Sequence, residues 1–193
     1  MEEIRSYALD LGAADAKFLS SSMIPVKEAL ADICREPGCP GYGVSGHCPP
    51  FSMTPPQFKE LLENIETALF FKFEVPSEVL LTEERHEVSR LIHQTAAAVE
   101  RFAMQCGYTR SRGFAAGSCK KLFCDSFARC RVVFENGPCR HPDLSRTSMS
   151  AVGVDFSTLT PLLDWRLEII GAASSDPSEG RPLASMMGMV LIG

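Results

Sequence analysis

The stretch Thr54-Pro55-Pro56-Gln57-Phe58-Lys59-Glu60-Leu61-Leu62-Glu63-Asn64-Ile65-Glu66-Thr67-Ala68-Leu69-Phe70-Phe71-Lys72-Phe73-Glu74-Val75-Pro76 changes its periodicity in mid-course, and that change decides the fold. The first half reads as a helix. Thr54 offers a cap, Pro55 suits the first turn and Gln57 closes a capping box, while Phe58, Leu61, Leu62, Ile65 and Leu69 recur at helical spacing. The second half reads as a strand: Leu69, Phe71, Phe73 and Val75 alternate with other residues until Pro76 stops the run. A helix feeding directly into an apolar strand points to mixed α/β packing.

The flanking sequence repeats both patterns. Helical spacing predicts helices over 2–11, from Pro25 (with Val26, Leu30 and Ile33 on one face), over 82–106, over 146–151 and over 157–165. The long helix carries Val88, Leu91, Ile92, Ala96, Val99 and Phe102 on one stripe and ends at Gly107. Strands are predicted at 14–19, 108–116 and 186–192, and a loop at 172–181. We read one domain over 1–193, α/β with α+β as the neighbouring class. It is a small mixed sheet with helices packed on it and two cysteine-rich loops at one end.

Composition narrows the function. Of 193 residues, 45% are hydrophobic and 22% charged, with a formal net charge of −5, which is a globular balance. A chain this long buries about 70% of its unfolded surface and needs no covalent staples. The start Met1-Glu-Glu-Ile-Arg5 lacks a basic segment followed by an apolar run, and no apolar run is long enough to span a membrane. We therefore expect a cytoplasmic chain with no membrane partner. Eight cysteines in such a setting favour metal over disulfides.

Seven of the eight lie in two short segments rich in Gly and Pro. Cys34, Cys39 and Cys48 are spaced C-x4-C-x8-C. Cys119, Cys124, Cys130 and Cys139 are spaced C-x4-C-x5-C-x8-C. Zinc knuckles use closer pairs, and no C-x-x-C occurs. Soft thiolates without oxygen ligands suit zinc or iron–sulfur, and the long uneven spacing suits a cluster with separated corners. Pro directly follows Cys39 and Cys48, as it follows a ligand cysteine in bacterial ferredoxins. The expected cofactor is one [4Fe–4S] cluster on Cys119, Cys124, Cys130 and Cys139. Cys34, Cys39 and Cys48 hold a second metal centre or join the first, with Cys106, His47 and Asp32 as candidates for a fourth ligand. Zinc is the alternative metal. Cys106 itself reads as a buried small hydrophobe at a helix end.

Charge is unevenly placed. Residues 109–146 carry eight basic and three acidic side chains, a local balance of +5 against −10 elsewhere. The basic block coincides with the second cysteine segment, where it offsets thiolate charge and attracts an acidic electron donor such as a ferredoxin. Nucleic acid is the weaker candidate partner, because the block reads as lacking interleaved exposed aromatics. A structural zinc module presenting the basic face to a partner, and an enzyme with substrate at an open three-cysteine centre, are the rival readings. His86-Glu87 followed by His93 is not a metalloprotease motif, since seven residues of helix separate the histidines by about 10 Å. Both histidines read as solvated or partly packed, and Trp165 as core.

Four segments together resemble one family: Cys39-Pro-Gly-Tyr-Gly-Val-Ser-Gly-His-Cys48-Pro-Pro, Gly117-Ser-Cys119-Lys, Cys139-Arg-His-Pro142 and Arg146-Thr-Ser-Met-Ser-Ala-Val-Gly-Val-Asp155. It is the bacterial and archaeal family of predicted metal-binding proteins, a domain of unknown function. The resemblance runs from about Ala8 to Trp165. Members often carry Arg-Pro-Ser-Met-Glu-Ala where this chain has Arg146-Thr-Ser-Met-Ser-Ala, and an aromatic where it has His47. The resemblance implies a metal or iron–sulfur protein, with no reaction attached.

Overall fold

A computed structural model of the protein describes residues 1–166 and 183–193. Its helices are α1 (Glu2–Asp10), α2 (Glu28–Asp32), α3 (Pro55–Glu63), α4 (Ser77–Leu81), α5 (Arg85–Gln105), α6 (Cys119–Phe123), α7 (Arg131–Phe134) and α8 (Phe156–Leu162). The strands are β1 (Asp15–Ser20), β2 (Thr67–Pro76), β3 (Arg112–Ala115), β4 (Thr147–Ser148) and β5 (Leu183–Ile192).

The quoted stretch folds as its pattern requires. Thr54 and Gln57 form a complete capping box at the start of α3. After Glu63 the chain turns into β2, which pairs antiparallel with β1 on one side and β5 on the other. The sheet order is β1-β2-β5-β3-β4, and only the β3–β4 contact is parallel. The sheet is therefore mixed.

Alternation along β2 sends side chains to both faces. Ala68 and Phe70 join Met187, Met189 and Leu191 of β5 against Phe58 and Leu62 of α3 and Leu159 of α8. Leu69, Phe71 and Phe73 join Val190 and Ile192 against α1 and α5, through Ile4, Ala8, Ile92, Ala96 and Val99. Helices cover both faces, which is why β2 is nearly continuously apolar and not half polar. Phe58 and Phe114 meet edge-on at 5.0 Å in the first layer. Each such buried aromatic stabilises the fold by about 1.5–3 kcal/mol.

Four local expectations are corrected. The helix expected from Pro25 is confined to α2, and Ile33 is 52% exposed, not buried. Residues 25–27 are extended because they pair with the 153–155 segment: Lys27 N–H donates to Gly153 O at 2.8 Å and Asp155 N–H to Pro25 O at 2.9 Å. These tertiary bonds outweigh the local helical pattern. The helix expected at 146–151 is instead β4, followed by a 3-10 turn over Met149–Val152. His93 lies fully buried in α5, and Cys106, one residue past α5, is exposed. The loop expected at 172–181 lies outside the described residues.

Candidate metal centre

The two cysteine segments are brought together from opposite ends of the topology. The first leaves α2 as a helical turn, closed by Cys39 N–H to Cys34 O at 2.9 Å. Further turns follow, with Tyr42 N–H to Cys39 O at 2.9 Å and Cys48 N–H to Ser45 O at 3.1 Å. The second leaves β3 at Gly117 and starts α6 with Cys119. Arg90 of α5 fastens this segment by donating to Leu122 O and lying over the Phe123 ring at 5.5 Å.

The segments touch at Gly41. A Cβ there would stand 2.8 Å from Ser118 Cβ and 3.3 Å from Cys48 Sγ. Only glycine fits this approach without displacing the opposite segment. Ser45 Oγ and Cys119 Sγ are 3.0 Å apart, a bond from the first segment to a cysteine of the second.

Cys48, Cys119 and Cys124 are buried, Cys34, Cys130 and Cys139 half-buried, and Cys39 exposed. Burial pushes the Cys119 thiol up to about 12, opposed by Ser45 and reinforced by Cys48 and Cys139. Burial also raises Cys48, with Ser118 and Ser45 opposing and Cys39 and Cys34 adding to the rise. Cys34 is raised by burial and by Cys39. Cys124 is raised by burial and Cys139, while Arg140 and Lys120 pull it down. All seven thiols are thus electrostatic neighbours of at least one other, and Cys48 with Cys119 joins the two groups. Unmetallated, the raised thiols stay protonated at neutral pH; a soft metal would take the place of those protons.

The donor set fits such a metal. Two sulfurs accept a backbone N–H from the residue two places on: Gly41 N to Cys39 Sγ and His141 N to Cys139 Sγ, each at 3.4 Å. N–H groups placed this way would support a metal-bound sulfur. His141 Nε2 is buried without a hydrogen-bond partner beside this centre. Among the described residues, no three His, Cys, Asp or Glu side chains converge as a single-ion site does. Asp32, a candidate for a fourth ligand, pairs with Arg35 at 3.6 Å. His47, in the first segment, faces β4 with its Nδ1 3.4 Å from Thr147 Oγ1, and burial and Arg146 hold its pKa down to about 4.

A shell that the sequence reading missed surrounds the centre. His93 accepts the Arg146 N–H at 3.0 Å, and burial and His47 hold its pKa down to about 3. Its ring stands edge-on to Phe123 at 5.7 Å, and Phe123 lies 6.0 Å from His141. Arg146 forms a fork on Glu100, at 2.9 and 2.7 Å, and Glu100 also accepts from Gly113 N–H. Asp155 caps α8 through Ser157 and binds Lys27 at 2.6 Å. The Arg146–Asp155 stretch is therefore a strap: one end ties to α5 and the other to the residues leading into the first cysteine segment. Arg146 was visible as the start of a signature, but nothing in the spacing marked Glu100 as its partner.

The basic block also departs from expectation. Phe127 and Phe134 are 42% and 51% exposed. The Arg140 guanidinium lies over Phe127 at 4.4 Å and that of Arg129 over Phe134 at 5.4 Å. Exposed aromatics are thus interleaved with the basic residues after all. Lys120 is not a free surface charge, because its ammonium caps Cys124 O at 2.8 Å and Phe127 O at 2.7 Å.

The family of predicted metal-binding proteins DUF2284 matches residues 17–192, and the chain belongs to that family. No curated protein and no solved structure matches it. No helix among the described residues is long and apolar enough to cross a membrane.

Proposed function

We propose that this member of a metal-binding family is a cytoplasmic iron–sulfur protein. Cys119, Cys124, Cys130 and Cys139 would hold one [4Fe–4S] cluster, and Cys34, Cys39 and Cys48 a second metal centre or a continuation of the first. The observation that carries this reading is the meeting of the two segments at Gly41–Ser118 and Ser45–Cys119, which brings two sets of free cysteines, Cys34, Cys39 and Cys48 with Cys119, Cys124, Cys130 and Cys139, to one end of the fold. A mononuclear zinc site draws its sulfurs to about 2.3 Å from one point. A four-iron cluster accepts ligands set further apart.

When bound, such a cluster supplies one-electron transfer. The residues around it have separate tasks. Arg140 and Lys120 offset the charge at Cys124. Ser45 donates to or accepts from Cys119. Phe127 and Phe134, covered by Arg140 and Arg129 and followed by Glu135, which pairs with Arg140, offer an apolar centre with a mainly basic rim in the second cysteine segment. That face suits an acidic electron-carrier protein, whose approach would be salt-dependent.

The test is anaerobic purification with iron, sulfide and zinc counts. Brown protein with about four irons and four sulfides per cluster is expected. Colourless protein carrying zinc would replace this reading with a structural zinc module.

A further inference from the structure

A cavity of about 720 Å³ opens between the two cysteine segments, the start of α5 and β5. Its size falls within the range of sites that take small organic ligands. Cys39, the exposed one of the seven grouped cysteines, stands on its wall. Val44, Leu122, Ala128 and Met186 make one side apolar.

The rim carries Arg85, Lys120 and Lys121 against Glu83 and Asp125, a balance of +1. Arg85 and Lys121 line the cavity with side chains about half exposed, paired to Glu83 at 3.3 Å and Asp125 at 3.7 Å. Exposed pairs of this kind are worth less than about 1 kcal/mol, so both cations can turn to an entering anion. Lys120, in contrast, is fixed by two carbonyls and shapes the wall.

We propose that this cavity binds an organic anion with an apolar body, a carboxylate or a phosphate ester on a hydrocarbon chain. The head group meets Arg85 and Lys121, and the body lies along Val44, Ala128 and Met186 toward Cys39. The proposal names the substrate class of the centre described above and rests on that reading for its purpose. The binding itself stands on the cavity alone.

Calorimetric titration of the metal-loaded protein tests it, with octanoate, octyl phosphate, octan-1-ol and acetate as probes. Saturable binding of octanoate or octyl phosphate is expected, and the stronger of the two identifies the head group. Octan-1-ol should bind at least about tenfold more weakly, and acetate should not saturate by about 10 mM. Ala128→Trp, at an exposed position, should abolish binding by filling the cavity, and Val44→Phe should repeat the effect. Arg85→Gln combined with Lys121→Gln should weaken octanoate by about tenfold. Thermal melting and metal counts are read on every variant. Absence of saturation by both anions, equal binding of octan-1-ol, or unchanged binding in both filled variants overturns the proposal. Protein isolated anaerobically with zinc and without iron or sulfide that still binds octanoate would sink the iron–sulfur reading and leave the cavity standing.

Discussion

Replacing Gly41 by Ala presses on one of the close contacts that set the distance between the cysteine segments. The new methyl would stand 2.8 Å from Ser118 Cβ, 3.2 Å from Ser118 Oγ and 3.3 Å from Cys48 Sγ. Carbon atoms rest at about 3.5–4.0 Å, so the segments must separate by up to about 1 Å. The backbone at Gly41 is not in the left-handed region, so the cost is steric and not conformational. Overpacking of this kind costs about 1–3 kcal/mol. For a chain of this length that corresponds to a fall in Tm of about 3–10 °C. Metal content should fall with it, because Cys48 and Cys119 are drawn apart. Ser118→Gly removes the Cβ that is struck. Calorimetric melting and metal counts on Gly41→Ala, Ser118→Gly and the double variant form a complete cycle. The double variant should recover more than half of the loss. If Gly41→Ala melts and binds metal like the parent, or if Ser118→Gly recovers nothing, the segments do not meet as described.

Cys124→Ser should lose most of the bound iron and melt lower, since ligand energy is coupled to folding; full iron occupancy would remove Cys124 from the ligand set. Cys106→Ala should keep the full metal count and change stability by less than about 0.5 kcal/mol, because the residue is exposed and stands apart from the other seven; loss of a metal centre in this variant would contradict that placement. The third concerns acid. His93 stays neutral in the fold with its pKa held down to about 3, whereas an unfolded imidazole titrates at about 6.5. The unfolded chain therefore takes up a proton that the folded one refuses. Stability from neutral His93 is complete above about pH 6.5 and is lost below it, by up to about 1.4 kcal/mol per pH unit. Denaturant melts of His93→Gln between pH 6 and 4.5 should show a shallower decline than the parent; parallel curves would mean that His93 is charged in the fold.

Local chemistry made much of the fold legible. The capping box at Thr54, the 21-residue stripe of α5 and the apolar runs of β2 and β5 are each specified within a few turns of chain. Where the reading failed, a distant partner decided. Val26 and Lys27 left the helical pattern to pair with Val154 and Gly153. Thr147 and Ser148 joined the edge of β3. The thiols were legible because cysteine in a loop has little structural use. Their grouping across two segments, and the Arg146–Glu100 fork behind them, depend on the sheet order, which no spacing encodes. The exposed Phe127 and Phe134 escaped notice for a related reason: phenylalanine in an irregular segment gives no period from which to read its exposure.

The position of β5 has a consequence for how the protein is made. The ribosome delivers the β1–β2 and β3–β4 pairs early, but the two halves of the sheet cannot join until Leu183–Ile192 has been synthesised and slips between β2 and β3. At about 5–20 residues per second, Cys48 waits roughly 10–30 s for that strand. Throughout that interval the nascent polypeptide carries unshielded thiols and two open sheet edges, with the companion segments unable to face one another. A metal held by both segments could be enclosed only after β5 is in place, and until then the exposed sulfurs would need reducing surroundings to stay intact.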